Sequence, residues 1–308
     1  MTLKTWLTLV RYPNLVIIGL TQIVVQYWVI RPKVVAVGLS TTLDEQSFLG
    51  LVLYTILIAG AGNIINDILD ANIDQINKPQ KMVIHRLISL EKAYLAYYFL
   101  NGAALLIALI LDIYLQKTYF LSIGFGIIML LYAYSKWFKQ QILIGNIVVA
   151  LLCAFTPGIV WLTEQSAIQQ FELIEPTLAS EMISLLKVYV LFALLATMYR
   201  EIVKDLQDIV GDKMHGCKTL PIVVGIKTTK WVALLFGGAL AIVLVIFMQP
   251  FLISELYVKF SYLLLAVLLP LLLSFGYLWK AQQTKHFNQL SQGIKVIMLI
   301  GLSLLFLH

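Results

Sequence analysis

Charge is scarce in this chain. Of its 308 residues, 12% are Asp, Glu, Lys or Arg, against roughly 25% in a soluble domain. Mean hydropathy is +0.90, and 60% of residues are hydrophobic. That shortage excludes a water-solvated globule and leaves lipid as the main solvent. Cysteine is equally scarce: Cys153 lies in an apolar run and Cys217 in a charged loop. Two such residues exclude a disulfide framework, and neither has the company of a metal site. No low-complexity stretch or polar linker interrupts the sequence, so residues 1–308 read as a single membrane-embedded domain.

Only helices and closed barrels satisfy every backbone polar group in lipid. The apolar runs are long and continuous, without the two-residue alternation of barrel strands. An all-α integral membrane protein follows. Nine runs are long enough to cross a hydrocarbon core of roughly 30 Å: 12–30, 46–73, 89–112, 118–134, 142–163, 182–204, 230–249, 257–279 and 291–307. The first superficially resembles a signal peptide, but no small-residue cleavage site follows it and many spans do, so it reads as the first membrane helix. Pro157 and Gly158 inside the fifth predict a kink. The stretch Glu164 to Glu181 reads as an ordinary solvated loop.

The net charge of +6 and pI of about 9.1 would suggest nucleic acid in a soluble protein. Here the basic residues sit in short loops between spans, the place of cytoplasmic charge in a membrane protein. With the N-terminus cytoplasmic and the C-terminus outside, all Lys and Arg fall on the inner side except Arg31, Lys33, Lys117, Lys187 and Lys259.

Against this apolar background two acidic clusters stand out. The first contains Asn63, Asn66, Asp67, Asp70 and Asp74, with Asn66, Asp70 and Asp74 four apart. On a helix such positions stack on one face. A carboxylate costs about 2.5–3.5 kcal/mol at mid-membrane on the insertion scale. A stripe of them is kept where something positive sits against it. Ile64, Ile65, Ile68, Leu69 and Ile73 cover the other faces, so the stripe faces protein or a wet cavity. The second cluster runs from Arg200 and Glu201 through Lys204 to Asp205, Asp208 and Asp212, and repeats the three-then-four spacing of Asp67, Asp70 and Asp74. Both end on the cytoplasmic side, which points to one shared site. Carboxylates without His or thiolate select a hard cation, and Mg²⁺ commonly joins carboxylates to substrate phosphates. The expected ligand is a diphosphate bridged by Mg²⁺, with Lys78, Lys81, Arg86, Arg200 and Lys204 neutralising the remaining charge.

These motifs resemble the two signatures of the UbiA superfamily of intramembrane prenyltransferases. Further matches are Arg11-Tyr-Pro13-Asn14, Tyr134-Ser-Lys136 with Lys139, Gly145-Asn146 and Lys218-Thr-Leu-Pro221. The stretch from Arg200 to Asp212 with Gly216-Cys-Lys-Thr-Leu-Pro looks closest to the geranylgeranylglycerol-phosphate geranylgeranyltransferase branch. The resemblance implies nine transmembrane helices around a central cavity. It implies metal binding by Asn66, Asp70, Asp74, Asp208 and Asp212, with Asp67, Lys204 and Asp205 in catalytic roles. Contacts to the substrate diphosphate would come from Asn14, Asn66, Lys78, Lys81, Arg86, Lys136, Lys139, Asn146 and Arg200. The reaction implied is Mg²⁺-dependent transfer of a polyprenyl group, geranylgeranyl above all, from its diphosphate to a lipophilic acceptor such as a prenylglycerol phosphate. A quinone-precursor aromatic acceptor is the alternative, and an ion-coupled membrane transporter is the rival from another class. One departure is visible: where many members carry Arg-Pro-x-Pro-Ser-Gly after the first motif, this chain reads Lys81-Met-Val-Ile-His85-Arg86.

Overall fold

The computed structural model describes residues 3–71, 82–84 and 86–307. Among them every regular element is helical, apart from an isolated bridge between Ile84 and Ile88. A short helix, α1 (Leu3–Leu9), leads into α2 (Tyr12–Ala36), which contains a π-helical stretch at Val25–Ile30. Then come α3 (Glu45–Leu69), α4 (Leu90–Tyr114), α5 (Phe120–Lys136), α6 (Ile144–Thr163) and α7 (Gln165–Ile174). The last four are α8 (Pro176–Met214), α9 (Leu220–Ile253), α10 (Tyr257–Lys280) and α11 (Thr284–Ser303).

Eight of these helices are long and apolar enough to cross a membrane, and α5, with 17 residues, is a shorter apolar one. Together they correspond in number and order to the nine expected spans. Large hydrophobic side chains such as Leu95, Phe99, Ile113, Leu235, Ile246 and Leu273 point outward, as expected where lipid takes the place of water. Close helix contacts use small residues, the usual device when lipid is as apolar as the interface. Ala104 and Ala108 are fully buried on α4. A Cβ added at Gly62 of α3 would come within 2.9 Å of Leu131 on α5.

Two helices act as hubs. The first, α3, packs on α2, α4 and α5, while α8 packs on α6, α9 and α11. They carry the two acidic stripes, and they do not pack closely on each other.

Three boundaries differ from expectation. The stretch after α6 is not a solvated loop. It forms α7, which buries Ala167, Ile168 and Phe171 on one face. Glu164 is fully buried and accepts from Gln26 Nε2 (2.7 Å), Thr42 N (2.7 Å) and Leu43 N (3.0 Å). Three donors offset the cost of taking that carboxylate from water, and all three come from segments far away in sequence. The sixth span is also longer than its apolar part. At 1.5 Å per residue, the 39 residues of α8 extend on the order of 60 Å, so the second stripe lies on one continuous helix that outruns the hydrocarbon. Finally, α9 is interrupted at Gly225, whose φ of 83° and ψ of 163° lie in a region that glycine alone adopts readily.

Candidate active site

The first stripe sits where α3 ends. Asp70 is its C-capping residue and is 3% exposed. Asn66 Nδ2 donates to Asp70 Oδ2 at 2.7 Å, and the Lys139 ammonium donates to the same oxygen. One turn earlier, Arg11 Nη2 meets Asp67 Oδ1 at 2.5 Å. Arg11 has left-handed backbone angles (φ 55°, ψ 53°), which a non-glycine residue tolerates when its surroundings hold it. Here the ion pair with Asp67 holds its side chain, and Asn63 Nδ2 holds the adjoining Val10 carbonyl at 2.9 Å.

Beneath this end of α3, Ile64, Ile65 and Ile68 are buried with Val83, Ile84 and Ile88. This supplies a physical account of the departure noted above. Val83 and Ile84 anchor the connection by burial, and the amides of Leu87 and Ile88 close a turn on the Val83 carbonyl. Asp74, Lys78 and Lys81 lie outside the described residues.

Lys139 reaches the stripe through a close backbone approach. It belongs to a 3₁₀ turn, Phe138–Gln140, that rests on the first turn of α6. A Cβ at Gly145 would stand 2.9 Å from Lys139 Cα and 3.1 Å from the Phe138 carbonyl. Only glycine lets this turn sit so low. The Lys218 amide then donates to the Gln140 carbonyl at 2.8 Å, which ties the segment after α8 to the same turn.

On α8, Glu201, Asp205, Asp208 and Asp212 lie on one face. Glu201 Oε1 accepts from Arg200 Nη1 (2.8 Å) and its Oε2 from Lys204 Nζ (2.7 Å). Asn146, in the first turn of α6, donates to Asp205 Oδ2 at 2.9 Å. Asp212 is buried and Asp208 half-buried. Cys217 lies within electrostatic reach of Asp212, Lys139 and Asp70, so both stripes and the bridging lysine share one neighbourhood; burial pushes the Cys217 thiol up and keeps it protonated. Tyr134 adds its hydroxyl among Lys139, Glu201, Asp70 and Arg11. On the far side Lys295 of α11 donates to Asn14 Oδ1 at 2.6 Å.

Protein surrounds Arg11, Glu201 and Asp205 closely. Yet the Arg11 side chain remains 40% exposed, Lys139 34%, Lys204 31% and Arg200 20%. These polar groups therefore stay accessible in the gap between the α3 and α8 hubs.

The structure therefore brings together Asn66, Asp67, Asp70, Lys139, Asn146, Arg200, Lys204, Asp205 and Asp212, with Asn14 at the edge. Asp208 is on the same face of α8. Lys136 does not join them: it is exposed, with its ammonium 4.8 Å from the Trp137 ring centre. Arg86 is exposed on its turn. Three participants were not assigned site roles from sequence. Arg11 was seen only as part of a motif, and Glu201 only as part of a cluster. Lys295 has its signal in its placement, a lone charge inside the last apolar run.

The donors fit a magnesium ion. Asn66 Oδ1 is buried and has no hydrogen-bond partner, an oxygen ready to ligate. The candidate ligands are otherwise carboxylates. Among the described residues no three His, Cys, Asp or Glu converge as a ready-made metal cluster. Mg²⁺ is commonly held by one or two carboxylates together with substrate phosphates and water, so it does not require such a cluster.

Comparisons with known proteins give a consistent result. Residues 24–293 match the sequence model of the UbiA prenyltransferase family. A digeranylgeranylglyceryl phosphate synthase of Thermococcus sibiricus is 34% identical over 239 residues, covering 78% of this chain and 75% of the relative. A solved structure from work on digeranylgeranylglyceryl phosphate synthase in membranes superposes with a TM-score of 0.64 at 24% identity, covering 99% of this chain and 97% of that one. A UbiA homologue from Archaeoglobus fulgidus, solved bound to DMAPP and Mg²⁺, gives a TM-score of 0.56 at 16% identity and covers 99% and 100%.

Proposed function

The chain belongs to the UbiA prenyltransferase family, and we propose that it transfers a geranylgeranyl group from its diphosphate to a prenylglycerol phosphate, with Mg²⁺, as one membrane-embedded domain. Membership makes it an integral membrane prenyltransferase and separates it from an ion-coupled transporter. The observation that supports the reading is the Lys139 ammonium on Asp70 of the first stripe, in a turn whose Gln140 carbonyl is bonded by Lys218 just after the second. The archaeal relatives' name favours the glycerol-phosphate acceptor over a quinone precursor. The loop charges support a cytoplasmic N-terminus and a site mouth on the same side.

When bound, a magnesium ion would supply Lewis-acid stabilisation of the charge on the leaving diphosphate. Asn66, Asp70 and Asp74 on one side and Asp208 and Asp212 on the other would hold it. Lys139 and Lys204 supply fixed positive charge where negative charge develops on the leaving diphosphate, an interaction strengthened by the low dielectric around them. Lys78 and Lys81 extend that field, while Asn14 borders the acceptor. As the allylic C–O bond breaks, its electron pair leaves with the diphosphate. The acceptor hydroxyl oxygen forms the new C–O bond and gives up its proton. Asp205 is the group placed to take that proton: Asn146 holds its Oδ2, and its Oδ1 accepts no side-chain bond from a described residue. Asp67 acts through Arg11, whose guanidinium it fixes. The apolar bundle excludes the water that would quench the allylic cation.

The test is an acceptor panel. Protein purified in detergent is given labelled geranylgeranyl diphosphate, Mg²⁺ and either geranylgeranylglyceryl phosphate or aromatic quinone precursors. Transfer to the glyceryl phosphate, lost with EDTA and restored by Mg²⁺, is expected. Transfer to the aromatic acceptors alone would overturn the acceptor assignment.

A further inference from the structure

A lysine sits inside the last membrane helix, bonded to a neutral partner. Lys295 lies about three turns into α11, and its ammonium bonds the neutral Asn14 Oδ1 of α2 at 2.6 Å. Neither α11 nor Tyr12–Ala36 contains a single Asp or Glu. The charge that Lys295 does face is another cation, Arg200. Among the described residues, Arg200 pairs with one carboxylate, Glu201, which Lys204 also bonds. Its Nε is buried and has no hydrogen-bond partner. Asp205, the next carboxylate on that face, is engaged by Asn146.

Lys295 and Arg200 thus place two cations within electrostatic reach of each other, while Glu201 is bonded by Arg200 and Lys204. An ammonium in a membrane helix is costly and normally pairs with an anion or lines a functional cavity. A buried guanidinium N–H with no acceptor is a second unmet demand of the same sign. Both are met by one dianion with several acceptor oxygens. A phosphomonoester carries about −1.5 to −2 at neutral pH and three such oxygens.

We infer that Lys295 and Arg200 form a subsite for the phosphate of the acceptor, set beside α2 and α11 and separate from the diphosphate held between the stripes. This rests on the reading that the acceptor is a prenylglycerol phosphate. It assigns Lys295 as a specificity-determining residue. The neutral Asn14 holds the ammonium in place without cancelling its charge, which keeps it available to a ligand. A carboxylate there would have neutralised it.

The experiment compares steady-state transfer by the wild type, Lys295→Gln and Lys295→Arg, with geranylgeranyl diphosphate as donor. Acceptors are geranylgeranylglyceryl phosphate and its dephosphorylated alcohol. Gln keeps a polar end for Asn14 and removes only the charge. Loss of one charge-assisted hydrogen bond predicts a rise of roughly tenfold to a hundredfold in KM for the phosphorylated acceptor. The donor KM and the KM for the alcohol should stay at wild-type values, and Lys295→Arg should recover most of the loss. An equal change for both acceptors, a rise in donor KM, or no change at all would overturn the subsite. A wild type that never uses the glyceryl phosphate would overturn the subsite and the function together, so the two failures are distinguishable.

Discussion

Asn146 in the first turn of α6 donates its side-chain amide to Asp205 on α8 at 2.9 Å, so one carboxylate of the second stripe is oriented before any substrate arrives. The first stripe has the same arrangement, with Asn66 holding Asp70 at 2.7 Å. In each case an amide directs the lone pairs of an acid without adding charge.

Removing that amide tests its role. Asn146→Ala deletes a hydrogen bond to an ionised group, worth about 1.5–3 kcal/mol. We expect kcat to fall by roughly tenfold or more, since 1.4 kcal/mol is a factor of ten. The donor KM should change little. Full kcat in the variant would remove Asp205 from the catalytic step.

The proposed metal–diphosphate site shared by both stripes predicts that each stripe is indispensable. Asp70→Asn and Asp208→Asn are expected to abolish turnover in the detergent transfer assay. Both proteins should elute in gel filtration and melt as the wild type does, because the change is nearly isosteric. Unchanged turnover in either would refute a single site built from both helices.

Glu164 predicts a stability effect away from the chemistry. Glu164→Ala leaves the Gln26 amide and the Thr42 and Leu43 N–H groups without their acceptor. Each orphaned donor costs about 1–3 kcal/mol. Melting in detergent should drop clearly, while kcat per folded molecule is retained. A melt identical to wild type would show that this buried carboxylate is not holding α2, α6 and the α2–α3 connection together.

Asp44 predicts a pH dependence. Hydrogen bonds from Ser47 and Tyr114 hold its carboxyl well below the usual range, at about 2. The native value lies below the unfolded one of about 3.9, so its contribution is complete above that value and fades as pH falls towards 2. As the N-cap of α3, bonded to Ser47 N at 2.8 Å, it should cost about 1 kcal/mol on replacement by Ala. Thermal melts of Asp44→Ala are expected to converge on wild type as pH falls from 4 to 2. A constant difference across that interval would separate the cap from its charge.

Much of the site was legible because helical spacing is local. Asn66, Asp67 and Asp70 share a face wherever that helix is placed, and so do Asp205, Asp208 and Asp212. The solvated loop expected after Glu164 failed for the opposite reason. An acidic residue between two spans looks exposed unless its donors are known, and Gln26 lies 138 residues away. Lys136 and Lys139 show the same limit at short range. Both follow the fourth span, yet only Lys139 is turned inward, because Gly145 admits the backbone of its turn.

What the sequence determined by itself was the solvent and the element type, and it gave the proposed chemistry its grounds. Scarce charge and long apolar runs leave only membrane helices, and repeated carboxylates without thiolate or imidazole select a hard cation with phosphate. What only the tertiary structure decided was which charges meet. Arg11 finds Asp67 across 56 residues, Lys139 finds Asp70 across 69, and Lys295 finds Asn14 across 281. Periodicity acts within one helix, whereas these pairings depend on how separate helices pack, through small residues and close backbone approaches whose partners are not written beside them.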